Sequence, residues 1–277
     1  MNKSVFTSWI YPAISGGVIL LIWMLVGTIL ASTDGGKLSQ EQADNIRKVV
    51  LPYPTEIWQA AMEEKTHLAS ATFNTFKAAV IGFLSAIVVG LSLALILSSS
   101  LALKKSLYPW ILVLQMTPII ILAPIIAIWL KQGAHSVTII SFLISFFPIV
   151  ANTTLGLTST DKNLIELFAV SKATKLQEIL FLRLPYALPH FLTGAKIAAT
   201  LAPIGAIAGD IFVGTTAGGQ GGLGFLAILY KGDVNTPALY ACAALACLMG
   251  FLFVGLINYV QWLLLHSWHE SSLESEA

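Results

Sequence analysis

The stretch that decides the fold is TSTDKNLIELFAVSKATKLQEILFLRLP, residues 158–185, a charged segment in an otherwise apolar chain. Its apolar side chains recur at helical spacing in two stripes, Leu164 with Phe168, then Leu176, Ile179, Leu180 and Leu184. Thr158 and Thr160 are candidate N-caps, and Asp161 falls in the first turn, where a negative charge is favourable. The pattern predicts two short amphipathic helices with a bend at residues 171–174. Neither is long enough to span a bilayer.

On both sides of this segment the chain is far too apolar for a soluble protein. Hydrophobic residues make up 56% of the 277 residues and charged residues only 10%, with a mean hydropathy of +0.81. Average soluble chains are about one quarter charged. Windows free of Asp, Glu, Lys and Arg cover residues 4–33, 78–103, 106–130, 132–160 and 234–265. Each exceeds the ~20 residues that a spanning helix needs, and backbone groups in lipid must pair within their own segment. The composition therefore predicts an all-α polytopic membrane protein.

A sixth window, residues 190–213, contains Lys196 and Asp210 as its only Asp, Glu, Lys or Arg residues. We therefore predict six transmembrane helices, at residues 10–31, 72–98, 107–130, 136–157, 190–213 and 237–265. The first window is too long for a cleavable signal and is expected to remain as a span. In the loop that follows it, Pro52 and Pro54 separate two short helical pieces.

The orientation in the membrane follows from the basic residues of the short loops, because long loops cross a membrane largely regardless of charge. With the N-terminus inside, the short inner loops hold Lys104, Lys105, Lys162, Lys172, Lys175 and Arg183, and the short outer loops hold Lys131 and Lys231. Both termini are thus expected to be cytoplasmic. Three segments result: residues 1–70 with the first helix and its outer loop, a transmembrane core at 71–265 that includes the loop 158–189, and a tail at 266–277.

Two prolines end the amphipathic segment. Pro185 and Pro189 have no backbone N–H, and the residue before a proline is pushed out of helical geometry, so Leu184 and Leu188 are predicted helix boundaries. They would form a corner between the cytoplasmic segment and the fifth span. The corner could serve only to stop a helix, or it could also transmit force.

The amphipathic pair itself is compatible with two roles. It could lie at the membrane interface, with its leucines in the lipid boundary and its lysines among headgroups. Alternatively, it could dock its apolar stripe into a groove of a cytoplasmic partner.

Spacing within the segment resembles the cytoplasmic loop signature of bacterial ABC-importer permeases, E-A-A-x3-G-x9-I-x-L-P. The matching positions are Glu166, Leu184 and Pro185. Lys172 stands at the glycine of the signature. Leu167 and Phe168 replace the two alanines, and Leu182 replaces isoleucine.

Further segments resemble the taurine, nitrate and sulfonate branch of these permeases over residues 50–262. They are LPYPTEIWQA, QMTPIIILAPIIAIWL, FFPIVANTTLGL, and ALPHFLTGAKIAATLAPIGAIAGDIFVG followed by GGLGFLAI. Within this branch the chain looks most like the permeases of thiamine-precursor importers, which carry hydroxymethylpyrimidine-type compounds, and riboflavin importers have similar permeases. Asp210 stands where those sequences usually have Glu, and residues 218–220 look like an insertion.

The resemblance implies a permease subunit of the cytoplasmic (inner) membrane of a bacterium, in the fold of type I importers. It implies a homodimer that binds two cytoplasmic ATPase subunits inside and receives a small organic solute from a periplasmic or lipid-anchored binding protein outside. The family's loop fits a groove on each ATPase. In this chain the resemblance gives that coupling role to Glu166, Lys172, Ala173, Thr174, Lys175, Leu184 and Pro185.

Polar and proline positions inside the spans are candidates for the translocation path, because polar groups facing lipid are costly. We selected Thr117, Pro118, Pro148, Asn152 and Asp210. Asp210 could contact substrate at the outer mouth, pair across a dimer, or simply be hydrated at a span end. Lys196 is expected to extend its amine to the inner surface. Gly221, Gly222 and Gly224 are expected to allow a tight outer turn that returns the following residues to the membrane surface.

No motif in the sequence indicates catalysis or a bound cofactor. The pair Gly36-Lys37 lacks the glycine spacing and the Ser or Thr of a phosphate-binding loop, and there is no metal-spaced Cys/His cluster. We therefore expect no metal, no cofactor, no nucleic-acid partner and no ATPase site in this chain. Rival hypotheses are an ion-coupled secondary carrier, which would show an internal repeat, and a membrane scaffold without transport.

Overall fold

The computed structural model describes residues 3–32, 40–130, 133–213 and 221–265, and the regular elements in these ranges are helices. They are α1 (Lys3–Ser32), α2 (Gln40–Val50), α3 (Pro54–Glu63), α4 (Lys65–Ser99), α5 (Leu101–Met116), α6 (Ile119–Leu130), α7 (Ala134–Thr158), α8 (Lys162–Val170), α9 (Lys175–Glu178), a π-helical turn (Ile179–Arg183), α10 (Leu184–Val213), α11 (Leu223–Gly232) and α12 (Thr236–Leu265). The all-α prediction is confirmed. The tail 266–277 and the insertion at 218–220 lie outside the described residues.

Four described helices are long and apolar enough to cross a membrane: α4, α7, the continuous helix Lys175–Phe212, and α12. The pair α5 and α6 makes a fifth span if the two are counted together. The apolar part of α1, Ile14–Ile29, is shorter. A polytopic membrane protein is therefore confirmed, and the count of six spans stays a prediction.

The third predicted span is broken. The single helix expected at residues 107–130 consists of α5 and α6, which are bent by 103° relative to each other. Thr117 between them has an extended backbone, with φ −71° and ψ 123°. The cause is Pro118, because a proline disfavours helical geometry at the residue before it. Pro124, Pro148 and Pro203 instead lie inside continuous helices.

The first predicted amphipathic helix is α8, and the predicted bend follows it at residues 171–174. The second is not a separate short helix, because α9 is the first turn of the continuous helix Lys175–Phe212. The N-cap of α8 is Asp161, whose carboxylate accepts a hydrogen bond from the Asn163 N–H at 2.9 Å. Thr160, one of the two predicted caps, is buried instead. At the start of α9, Thr174 and Gln177 cap each other reciprocally.

The predicted corner at Leu184 and Leu188 is wrong, because the chain stays helical from Lys175 to Phe212. A π-helical turn precedes α10, and the Leu184 N–H bonds to the Ile179 carbonyl. Pro185 then falls in the first turn of α10, where a proline is tolerated, and Pro189 lies within that helix. The break in helical structure lies at residues 171–174 instead.

Contacts divide the chain into two compact units, Ala69–Leu226 with Ala244–Ala277, and Met1–Leu68 with Ala227–Ala243. In the larger unit, α7 packs against α10 in antiparallel order. Hydroxyls of α7 bond to carbonyls of α10, from Ser141 Oγ to Ala202 O at 2.9 Å and from Ser145 Oγ to Ala198 O at 3.4 Å. Small residues and hydroxyl hydrogen bonds are the usual means by which helices associate in lipid.

In the smaller unit, Arg47 of α2 links the helices α2 and α3. The Arg47 side chain is only 1% exposed and pairs with Asp44 at 2.8 Å and with Glu56 of α3 at 2.7 Å. Its guanidinium also lies 3.8 Å from the centre of the Tyr53 ring. Hydrogen bonds from Arg47 hold the pKa values of Asp44 and Glu56 below their usual range. As predicted, the prolines at 52 and 54 separate the two helices.

Candidate functional site

A cavity of about 470 Å³ opens where α5 and α6 break apart, within the larger unit. Three of the five path residues chosen from the sequence, Thr117, Pro118 and Pro148, line it. The other lining residues are Leu114, Gln115, Met116, Ile119, Leu122, Leu143, Ile144, Phe147, Leu201 and Ile204. Its volume and largely apolar wall are typical of sites for small organic molecules.

Polar groups at this cavity are few. The Thr117 hydroxyl donates to the Val113 carbonyl at 3.0 Å, so it is already paired within α5. Gln115 adds an exposed amide to the wall. The sequence reasoning missed Gln115, although a polar residue two positions before a Thr-Pro pair in an apolar window was a usable signal.

Asn152 does not line this cavity. Its side-chain N–H donates to the Pro148 carbonyl at 2.8 Å, and its Cβ would lie 2.9 Å from a Cβ added at Gly194 of α10. The residue therefore lies at the contact between α7 and α10, one turn beyond the cavity wall.

Asp210 is buried near the C-terminal end of α10, with 5% of its surface exposed. The Thr75 hydroxyl of α4 donates to Asp210 Oδ2 at 2.6 Å, and the Gly224 N–H also bonds to this carboxylate. Thr75 in turn accepts the Leu223 N–H at 2.8 Å. Together, Asp210 and Thr75 satisfy two backbone donors in the first turn of α11, where a negative charge is stabilised. Asp210 therefore ties the C-terminal end of α10 to the start of α11.

The glycines at the start of α11 make this contact feasible. A Cβ at Gly222 would collide with the Asp210 carboxylate, and one at Gly224 would collide with the Ile207 carbonyl. The sequence suggested that these glycines allow a tight turn. In the structure they also let the backbone at the start of α11 approach α10 closely. Asp210, Gly221 and Gly222 also line a second cavity of about 290 Å³, together with Lys77 and His135.

The turn between α8 and α9 contains a lysine in an unusual backbone conformation. Lys172 has φ +53°, in the left-handed region that favours glycine. Its N–H bonds to the Ala169 carbonyl at 3.0 Å, and the Ala173 N–H bonds to the Phe168 carbonyl at 3.0 Å. These are the two hydrogen bonds of a Schellman helix end, whose left-handed residue is usually glycine. The glycine position of the loop signature is therefore a position with a left-handed backbone. Lys172 adopts that conformation at a cost in conformational free energy.

The surface of this helix pair is open. Glu166, Lys172 and Lys175 are exposed, and Leu184 and Pro185 are half-buried. Large apolar side chains are also exposed, including Leu167, Val170, Leu176 and Phe181. An exposed apolar face with charges around it is typical of a docking surface.

One broken span, a packed α7–α10 pair and an exposed segment around α8 are features compatible with the membrane component of a transporter. Residues 86–264 match the family described as "Binding-protein-dependent transport system inner membrane component". The chain belongs to this family.

Individual relatives are permease subunits of ABC importers. The chain is 36% identical to the formylaminopyrimidine transport permease protein ThiX of Halalkalibacterium halodurans, over 58% of this chain and 63% of that protein. It is 34% identical to the riboflavin transport system permease protein RibX of Chloroflexus aurantiacus, over 77% of this chain and 80% of that protein. The match to ThiX therefore spans less than two thirds of that protein.

A solved structure has the same fold. A chain of the MetNI methionine ABC transporter, in an inward facing conformation, matches with a TM-score of 0.55 and 20% identity, over 72% of this chain and 98% of that chain. The predicted type I importer permease fold is confirmed at this level.

Proposed function

We propose that this chain forms a homodimeric permease that carries a small organic solute across the inner membrane by alternating access. The exposed face of α8 and α9 carries this proposal, because its large apolar side chains suit a protein groove. Two ATPase subunits would dock there, and a solute-binding protein would deliver the solute from outside. Both termini are then cytoplasmic, and ATP is hydrolysed by the partner and not by this chain.

The coupling residues divide into two groups by their place in the structure. Glu166, Lys172 and Lys175 are exposed and available to an ATPase. Leu184 and Pro185 follow the π-helical turn, at the start of the long helix that also supplies Leu201 and Ile204 to the cavity. Because that helix is continuous, movement of the loop would reach the cavity wall without an intervening hinge.

For the path, we propose the cavity at Thr117, Pro118 and Pro148, with Asn152 supporting its wall. Asp210 would act as a positioning residue that fixes the start of α11 at the outer end. As substrate we propose a compound related to thiamine precursors, because ThiX is named for a formylaminopyrimidine. Riboflavin-type solutes and the nitrate, taurine and sulfonate class are the alternatives.

Uptake by proteoliposomes containing the chain, its ATPase and its binding protein tests this function. We expect uptake that needs ATP and the binding protein. ATP-independent uptake would instead favour an ion-coupled carrier, and ATPase binding with no uptake of any candidate solute would favour a scaffold.

Variants at the loop test the coupling role. Glu166→Ala and Pro185→Ala should lower transport per ATP hydrolysed, or ATPase binding, while membrane insertion stays normal. Glu63→Ala, at an exposed glutamate of the outer helix α3, is the matched control and should behave as wild type. Unchanged coupling in both loop variants would refute the assignment.

A further inference from the structure

Lys196 is a charged side chain in the interior of a spanning helix. It lies on α10, twelve residues after the start of that helix, and its side chain is exposed. None of the ion pairs between described residues involves it. An ionisable residue at membrane depth normally faces a protein interior or a hydrated cavity, because facing lipid is costly.

The depth of Lys196 follows from the contact between α7 and α10. Lys196 lies two residues before Ala198, whose carbonyl accepts the hydrogen bond from Ser145. Ser145 is near the middle of the 25-residue helix α7, so the Lys196 Cα lies within ~4 Å of the level of the α7 midpoint. With the midpoint of the spanning helix α7 taken as the bilayer midplane, the hydrocarbon core extends ~15 Å to either side of it. A lysine side chain, with a reach of roughly 6 Å, does not bridge the remaining distance to the headgroups.

Lys196 lies beside the part of α10 that lines the cavity. Leu201 and Ile204, which line the cavity at the break between α5 and α6, lie five and eight residues further along. At 100° per residue, Ile204 lies about 80° and Leu201 about 140° around the helix from Lys196, so Lys196 is at one edge of this arc. The exposed residues Thr193 and Thr200 lie in the same arc. The hydroxyls of Thr193 and Thr200 donate to carbonyls of α10, so these side chains need no water. The Lys196 ammonium has no such partner in this arc and therefore needs water.

We propose that Lys196 faces the hydrated route from the cavity to the cytoplasm and gives its inner half a positive charge. The route then favours solutes with an anionic group, or neutral solutes rich in acceptors, over cationic solutes. This inference rests on the proposed transport function and replaces the snorkelling role expected from the sequence.

A reporter thiol beside Lys196 tests the charge without knowledge of the substrate. Thr193→Cys, one turn before Lys196, is placed in a background with Cys242→Ala and Cys247→Ala. The full complex with its ATPase is reacted with two methanethiosulfonates of similar size, one carrying a sulfonate and one a trimethylammonium. The ratio of the anionic to the cationic rate is compared between Lys196, Lys196→Gln and Lys196→Arg.

We expect both reagents to react, and the rate ratio to fall about sixfold in Lys196→Gln at low salt. Coulomb's law in water gives this factor for a unit charge ~8 Å from the thiol, where it speeds one reagent and slows the other. Lys196→Arg should keep the ratio. If Lys196→Gln does not assemble, the wild-type rate ratio is measured at low salt and at 1 M salt instead. At 1 M salt the screening length is ~3 Å, so the ratio should fall by the same factor of about six.

Two results would overturn the inference. A thiol that reacts with neither reagent would show that this face is not hydrated, and a ratio insensitive to both Lys196→Gln and salt would show that Lys196 does not set the local charge. ATP-driven uptake, measured on the same preparation, tests the proposed function separately.

Discussion

Lys172→Gly should stabilise the end of α8. A non-glycine residue in the left-handed region costs roughly 1–2 kcal/mol, and Lys172 has φ +53° there. Glycine removes that cost but loses more entropy on folding, about 0.5–1 kcal/mol. The expected net gain is about 1 kcal/mol, which corresponds to a roughly fivefold change in an opening equilibrium.

Hydrogen exchange at the two amides of the Schellman motif measures this gain directly. The N–H groups of Lys172 and Ala173 bond to carbonyls of α8, so their exchange reports opening of this helix end. In Lys172→Gly, the Ala173 amide should exchange about fivefold more slowly than in wild type. Ala173→Gly is the matched control, because a glycine without a left-handed backbone should speed exchange instead.

A second position separates stability from coupling. Val234 has φ +56° and ends α11 with the same pair of hydrogen bonds. Val234→Gly should therefore stabilise its own turn and leave ATPase coupling unchanged, whereas Lys172→Gly alters the loop proposed to bind the ATPase. Unchanged or faster exchange at Ala173 in Lys172→Gly would refute the backbone explanation of the lysine.

Three further predictions concern other parts of the chain. Asp210→Ala leaves the Gly224 N–H at the α11 start without its carboxylate acceptor and should cost about 1–3 kcal/mol; an unchanged melting temperature would contradict this. Hydrogen bonds from the buried arginine of α2 lower the pKa of Glu56 in the folded protein. The stability that this ion pair contributes is therefore fully present above the normal glutamate pKa of about 4.3. It is lost as the pH falls through the lower pKa that Glu56 has in the folded protein. Amides of α2 and α3 should lose exchange protection over that range, and Glu56→Gln should show the loss already at pH 7. Pro118→Ala should favour a straight helix, lengthening the spin-label distance between residues 110 and 128 from about 16 Å to about 26 Å; no lengthening would mean that packing holds the 103° bend.

Local patterns in the sequence predicted much of this fold. Window length predicted the apolar helices α4, α7 and α12, and apolar spacing predicted α8 and the bend at residues 171–174 that follows it. The loop signature placed a glycine-type position at 172, and the structure supplies its reason in a left-handed backbone. These features depend on residues within a few turns of each other, so periodicity and turn preferences are informative.

Features that depend on distant residues were not predictable in this way. Asp210 was identified as a candidate, but its partner Thr75 lies 135 residues earlier and has no marker in the sequence. The corner expected at Pro185 was wrong because a π-helical turn accommodates the proline without ending the helix. The depth of Lys196 likewise required the hydrogen bond between α7 and α10.

Photo-crosslinking from Leu167 tests the central claim most directly. Leu167 is 58% exposed on α8, and a benzoyl-phenylalanine at this position should crosslink to the ATPase subunit in the assembled transporter. The same probe at Leu252, which is 58% exposed on the spanning helix α12, should give no ATPase product. We expect the Leu167 product to change in yield when ATP is added. Crosslinking of Leu167 to lipid alone, with or without ATP, would contradict the account and assign α8 to the membrane interface.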